Sequence, residues 1–344
     1  YTVDGVAAIV GGRNIGDEDF NQNEHLNFRD LGLFTVGPAA KQVSQTFQEY
    51  WDSPWVIPLD RLLPSPPDRG DRSRLDAPLH DYQAELSQVS PSEKTDSPET
   101  HFKNSINELV WALATFIHDR PGGDDKEAYP KGPKRVAKHL LELASKSNKE
   151  ILIESAYFVL DEPALELVGR LRDKGVRMRA LTNSMASNDV LPNHASYANV
   201  REDMLEHGIE LFELRPDAKS CLETIGREEY CDDNSFLGLH AKAAVFDRSM
   251  IYIGSCNLNL RSAYLNTEVG MIIYSPVLAE TLTNQIELNM KRENSWQAIL
   301  RDDRVIWITE INGQEEISTH EPQTSWLERV KEGMLTLVPG SQYF

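Results

Sequence analysis

From about residue 134 the apolar positions fall into two alternating rhythms. Val136, Leu140 and Leu143 recur at helical spacing, and the apolar run Ile151–Phe158 follows as a buried-strand pattern. The spacing then predicts a helix over Pro163–Lys174 closed by Gly175, and a strand over Val176–Leu181. A helix ending at His207-Gly208 and a strand over Ile209–Leu214 come next. This order is that of a right-handed parallel α/β layer. Further strands are expected around Ala243–Phe246, Met250–Ile253 and Val269–Tyr274, then a helix opened by Ser275-Pro276.

Upstream, Asp30–Val36 reads as a strand, and Val43, Phe47, Tyr50 and Trp51 as the stripe of a helix behind Gly37-Pro38. Ile106, Leu109, Val110, Leu113, Phe116 and Ile117 read as a second helix, packing its apolar face into a core and carrying Trp111 as a membrane-contact candidate. Eight prolines from Pro54 to Pro98 mark an extended connection. The last 35 residues are polar, apart from an amphipathic piece at Trp326–Val330.

Two blocks about 240 residues apart match. Asp4, six residues, then Gly11-Gly12-Arg13-Asn14 mirrors Asp247, six residues, then Gly254-Ser255-Cys256-Asn257. Asp30-Leu31-Gly32 mirrors Glu268-Val269-Gly270, and each acid stands eight residues before a proline, Pro38 or Pro276. Each copy reads as strand, loop, strand, helix, which is domain duplication and not a short-period solenoid.

The second block is preceded by His240-Ala241-Lys242, giving His-x-Lys-x4-Asp-x6-Gly-Ser-x-Asn. On a strand, His240 and Lys242 project from one face. An imidazole beside an ammonium, with the Asn257 amide and the close approach allowed by Gly254-Ser255, suits a phosphate. The imidazole can attack phosphorus or protonate a leaving alcohol, while the ammonium neutralises non-bridging oxygens. No ligand-spaced cluster accompanies the string, so no metal or other cofactor is expected. Asp247 reads as a turn former or as a residue supporting the reactive pair. Asp30 and Glu268 read as buried partners, each for the catalytic His of its own half. Arg13 reads as a structural ion-pair residue and Cys256 as a small filler. The other histidines, His194 among them, read as surface or capping residues. Cys221 and Cys231 would pair only in an oxidising compartment and are read as unpaired.

Net charge is −19, from 35 Lys+Arg against 54 Asp+Glu. That argues against nucleic acid as a partner, since bulk attraction needs a basic surface. A local basic patch, Lys131, Lys134, Arg135 and Lys138, is where lipid headgroups could meet an acidic chain. No apolar run approaches the 18–20 residues of a membrane span; the longest, Leu109–Ile117, has nine, so the chain as written reads as soluble.

The string His240-x-Lys242-x4-Asp247 with its partial repeat resembles the phospholipase D superfamily, whose motif normally occurs twice per active site. Residues 11–20, Ser155-Ala-Tyr-Phe158, Ala180–Ser184 with Asn188-Asp189, and Gly208–Glu213 look like its bacterial C-type cardiolipin synthase branch. The resemblance implies an α/β fold of two pseudo-twofold lobes. It implies a two-step phosphatidyl exchange in which one His is phosphorylated and the other protonates the leaving alcohol. By it, His240, Lys242, Asp247, Asn257 and Asn14 are catalytic, with Asp4, Gly11, Gly12, Gly254, Ser255, Glu268 and Asp30 in support. Phosphatidylglycerol or a similar phospholipid is the implied substrate, and a bacterial membrane-associated parent the implied setting. The rivals are a phosphodiesterase or nuclease of the superfamily and a non-catalytic scaffold on its fold.

The first copy departs from the pattern. Its Lys and His would lie five and seven residues before Asp4, upstream of Tyr1. The expectation is a first lobe lacking its N-terminal part, with the absent His as nucleophile and His240 as acid. Such a chain is expected to be inactive alone unless a longer N-terminus or a second chain completes the site. The organisation expected is a first-lobe remnant over 1–60, a connection over 61–105, a second lobe over 106–320 and an extension over 321–344.

Overall fold

A computed structural model of the chain describes residues 1–62, 80, 98–122, 132–226, 228, 231 and 236–336. Most of the proline-rich connection and Lys131 lie outside the described residues. The chain divides into two compact units, Tyr1–Phe47 with Ala112–Phe344, and Gln48–Trp111.

In the larger unit the strands are β1 (Thr2–Val3), β2 (Ala7–Gly11), β3 (Leu26–Arg29), β4 (Gly32–Val36), β5 (Leu113–His118), β6 (Glu150–Ser155), β7 (Arg177–Asn183) and β8 (Ile209–Leu214). They continue as β9 (Phe236–Leu239), β10 (Lys242–Phe246), β11 (Met250–Gly254), β12 (Val269–Tyr274), β13 (Ser295–Arg301), β14 (Arg304–Ile311) and β15 (Gln314–Ser318). The helices of the chain are α1 (Pro38–Trp51), α2 (Leu59–Leu62), α3 (Pro98–Asn107), α4 (Arg135–Lys146), α5 (Glu162–Asp173), α6 (Leu191–Glu206), α7 (Cys221–Ile225), α8 (Leu260–Tyr264), α9 (Pro276–Asn289) and α10 (Trp326–Leu335).

Ten strands form one mixed sheet in the order β15-β14-β13-β8-β7-β6-β10-β11-β12-β5. β6, β7 and β8 run parallel, as a helix between successive strands requires. The remaining pairs of that sheet are antiparallel. Alternation along the strands feeds two cores. Ile151, Ile153, Ala244, Phe246 and Tyr252 face α4, α5 and α6. Leu152, Ala243, Val245, Ile251 and Ile253 face the other way, against Ala279, Leu282 and Ile286 of α9 and Val10 of β2.

The duplication is visible in the backbone. β1-β2-β4 repeats β10-β11-β12: Gly11 pairs with Gly32 as Gly254 pairs with Gly270. Each hairpin turns on a left-handed Asp, φ 51° at Asp4 and 52° at Asp247. α1 and α9 then begin at the matching prolines. The fold is thus α/β with two pseudo-twofold related parts, the first represented by β1–β4 and α1.

Two expectations are corrected. The stripe from Ile106 to Ile117 is no single helix, because α3 ends at Asn107 and Leu113–His118 is an edge strand on β12. Its apolar positions fit either period, and pairing beside β12 decides for the strand. Cys221 and Cys231 are joined in a disulfide. Towards the C-terminus β14 and β15 form a hairpin, and α10, on the amphipathic piece, opens with a Ser325–Glu328 capping box.

In the smaller unit, apolar side chains outside α2 and α3 are exposed, Trp55 at 70% and Trp111 at 80%. Among the described residues, no helix is long and apolar enough to cross a membrane.

Candidate active site

His240 sits in the gap between β9 and β10, so its position depends on both strands. β9 lies parallel to β3, with Leu239 opposite Arg29, and the Arg29 carbonyl accepts from the backbone N–H of His240 (2.8 Å) and of Ala241 (3.1 Å). On the other side of β9, the buried Asn183 amide accepts from Leu239 N–H and donates to its carbonyl, each at 2.8 Å. The chain leaving β3 presents Asp30, and His240 Nδ1 donates to Asp30 Oδ2 at 2.8 Å. A carboxylate on Nδ1 fixes the tautomer and leaves Nε2 for a substrate.

This corrects the expected pairing. Asp30 serves the histidine of the other half, because the β3–β9 pairing carries the first copy's acid across to the second copy's motif.

Asp19 is a further acid at this place, with its Oδ1 3.8 Å from His240 Nδ1 and accepting from Asn14 N–H at 3.2 Å. Burial pushes the Asp19 carboxyl above its ordinary range, against the pull of the Asn14 amide and of His240. Arg13 donates to the carbonyls of both Asp19 and Asp30, so it holds the two acids by their backbones. Asn14 itself is exposed and acts here through its main chain.

Lys242 begins β10 opposite Ser155 of β6 and is buried. Its stem crosses Gly12, where a Cβ would stand 2.5 Å from Lys242 Cδ and 3.0 Å from Cε. Glycine there is a space requirement. The ammonium donates to the His240 carbonyl. Burial lowers its pKa to about 8, opposed by the charges of Asp30, Glu268, Asp189 and Asp19. The cation is shielded from water and feels the charges of these carboxylates, while its hydrogen bond goes to a carbonyl.

Around the second copy's loop, Gly254 leaves room for Tyr252: a Cβ would stand 2.3 Å from its hydroxyl. Ser255 donates to Glu268 and accepts from Val269 N–H at 3.0 Å. Glu268 also accepts from Asn266 at 3.1 Å, and burial raises its carboxyl. Asn257 Oδ1 is buried with no hydrogen-bond partner among the described residues. Tyr157 donates to Asp189 at 2.9 Å, where burial and that carboxylate push the phenol up. An apolar cavity of about 110 Å³ between α4, α5 and the sheet reaches Asn257, but neither His240 nor Lys242 lines it.

Two motif residues lie elsewhere. Asp247 stands at the far end of β10, roughly 16 Å along the strand from Lys242 at 3.3 Å per residue. Its carboxylate accepts from the N–H groups of Asn148, Lys149 and Glu150, closing the start of β6. It is a turn and strand anchor here, which is the turn-former reading of the sequence. Asp4 is its exposed counterpart in the β1–β2 turn.

Sequence reasoning missed Asp19, Asn183 and the Arg29–Glu154 ion pair, in which the guanidinium donates to the carboxylate at 2.6 Å and 3.3 Å. A signal existed for Glu154, a carboxylate inside the apolar strand Glu150–Ser155. The expected basic patch is partly spent, since Lys134 donates to the Leu265 carbonyl at 2.7 Å.

A His-x-Lys strand on a mixed sheet, faced by an acid from a pseudo-twofold repeat, defines a phospholipase D-like protein. The family model described as "Cardiolipin synthase, PLD-like domain" matches residues 140–290. The chain is 33% identical over 343 residues to cardiolipin synthase C of Escherichia coli (strain K12), covering 98% of this chain and 71% of that protein. It is 28% identical to an uncharacterized protein of Helicobacter pylori (strain J99), covering 96% of this chain and 64% of the other. Phosphatidylserine synthase of Haemophilus influenzae Rd KW20 shares the fold over 97% of this chain and 66% of its own, with TM-score 0.54 and 14% identity. The chain belongs to the phospholipase D-like family of cardiolipin synthases.

Proposed function

We propose that this chain carries the acid–base half of a phosphatidyl-transfer site acting on phosphatidylglycerol or a similar phospholipid. The observation that carries the reading is the Asp30–His240 pair beside the buried Lys242. In the first step a second histidine attacks phosphorus, the bond from phosphorus to the glycerol oxygen breaks, and His240 Nε2 gives that oxygen its proton. Lys242 offsets charge on the non-bridging oxygens. In the second step His240 takes the proton of an acceptor hydroxyl, which attacks phosphorus and frees the phosphorylated histidine. A second phosphatidylglycerol as acceptor gives cardiolipin and glycerol in sum; water gives phosphatidic acid.

The pseudo-twofold supports a second histidine opposite Glu268, as His240 stands opposite Asp30. That residue would come from sequence preceding Tyr1 or from a second chain, and the present chain alone is expected to turn over nothing. The exposed Trp55 and Trp111 of the smaller unit support peripheral membrane contact.

The test uses phosphatidylglycerol vesicles, with lipid products separated and vesicle binding read by sedimentation. Cardiolipin or phosphatidic acid is expected from a chain extended through the first His-x-Lys, and neither from residues 1–344 as a monomer. Full turnover by the monomeric 1–344 chain, or none by the extended one, would overturn the reading.

A further inference from the structure

His194 is the first-turn histidine of α6 and is 0% exposed, against its sequence reading as a surface or capping residue. Its Nδ1 is bonded to Glu332 of α10. The carboxylate accepts from Nδ1–H, so in the neutral ring Nε2 presents a lone pair. Nε2 faces Glu321 Oε2, on the segment between β15 and α10, across 3.9 Å. Both atoms are buried, and neither has a hydrogen-bond partner among the described residues.

That spacing is too long for a hydrogen bond, which needs about 2.7–3.2 Å. Metal–nitrogen and metal–oxygen bonds of about 2.0–2.2 Å set two ligands of one tetrahedral ion about 3.3–3.6 Å apart, so an ion between these atoms asks them to close by a few tenths of an ångström. One ligand atom each from His194, Glu321 and Glu332 lies within 4.8 Å of the others.

The surrounding charges ask for a cation. Glu213 is fully engaged, accepting from Arg201 (3.1 Å), Tyr197 (2.8 Å) and Trp307 (2.9 Å). Arg201 also donates to the other oxygen of Glu321, and Arg329, hydrogen-bonded to Thr324, adds a second positive charge that acts on Glu321. Three carboxylates therefore meet two guanidiniums, one of them directly bonded, so beside a neutral His194 one negative charge is left over.

We propose that His194, Glu321 and Glu332 form a divalent metal site, with Glu332 orienting the imidazole and zinc the class of ion that suits this donor set. The site is separate from the phosphodiester machinery. Its ion ties the loop at Glu321 and α10 to α6, so the C-terminal segment docks through a metal as well as through packing.

The test titrates Zn²⁺ into the chelator-treated 1–344 chain by calorimetry and follows thermal melting. Because Asp19, Asp30 and His240 are a second cluster of three potential ligands, the His240→Asn variant is run in parallel. One tight equivalent is expected in wild type and in His240→Asn, with a rise in melting temperature. His194→Asn and Glu321→Gln should each weaken it at least tenfold and abolish the rise. No tight equivalent in wild type, its persistence in both His194→Asn and Glu321→Gln, or its loss in His240→Asn would overturn the proposal. Should those two variants fail to fold, X-ray absorption at the zinc edge of the His240→Asn protein decides. One imidazole with carboxylate oxygens supports the site, and an ion without imidazole contradicts it.

Discussion

Removing Glu154 tests how the two copies are held together at the site. Its carboxylate is wholly buried and bonded to Arg29, whose side chain is 9% exposed. The pair joins β3 of the first copy to β6 of the second, and the Arg29 carbonyl holds the backbone of His240 and Ala241. Glu154→Met leaves a guanidinium buried without its counter-charge, and Arg29→Met leaves the carboxylate. Breaking one side of a buried pair costs about 3–5 kcal/mol. Replacing both groups by apolar side chains of similar volume removes the orphan charge, so Arg29→Met with Glu154→Met should be less destabilised than the two single losses added. A coupling of about 2 kcal/mol or more is expected from the double-mutant cycle. Urea unfolding followed by near-ultraviolet circular dichroism measures all four proteins. Single variants costing under about 1 kcal/mol, or a double variant equal to the sum, would show that the ion pair does not join the halves.

Three further outcomes follow from the geometry. Gly12→Ala places a methyl group 2.5 Å from Lys242 Cδ, so kcat/KM in the extended enzyme should fall at least tenfold while far-ultraviolet circular dichroism is unchanged; full activity would mean that the lysine stem is free to move. With the Lys242 pKa lowered to about 8 from 10.5, kcat/KM for the phosphodiester should decline as pH passes 8, and Lys242→Arg should shift that limb upward. In the same window the unfolded chain binds more protons, so this group makes stability rise from pH 8 to 10.5; a fall contributed by Lys242 would contradict the burial. Asp247→Ala removes an acceptor for three backbone N–H groups at the start of β6, so it should cost stability, about 1–3 kcal/mol, and leave kcat of the folded extended enzyme within twofold. A large loss of kcat at unchanged stability would place Asp247 in the catalytic set.

The duplication was legible because glycine, proline and left-handed aspartate positions are local demands of a hairpin, and they recur at fixed offsets in both copies. β8 matches the alternation of Ile209–Leu214 and β12 the apolar run Val269–Tyr274, patterns that need no partner to be read. What spacing could not tell is who faces whom. Asp30 was read with the histidine of its own half, yet the parallel β3–β9 pairing, formed across 210 residues, gives it to His240. Asp19 was hidden for the same reason, being a carboxylate in a polar loop until Arg13 and Asn14 fold it against the imidazole. His194 looked unremarkable because its partners, Glu321 and Glu332, come from a tail that reads as polar surface. Asp247 keeps the turn-former half of its reading, since its carboxylate anchors the start of β6.

The central claim is that His240, held by an acid from the other copy, is the proton carrier of phosphatidyl transfer. Its most direct measurement is turnover of phosphatidylglycerol by the extended enzyme and its His240→Asn and Asp30→Asn variants, each shown to be folded. The account predicts that His240→Asn loses at least about 10³-fold in kcat and Asp30→Asn at least tenfold, in line with general acid–base contributions of about 10²–10⁴. Wild-type turnover by His240→Asn, or an Asp30→Asn enzyme with an unchanged rate and pH profile, would contradict it.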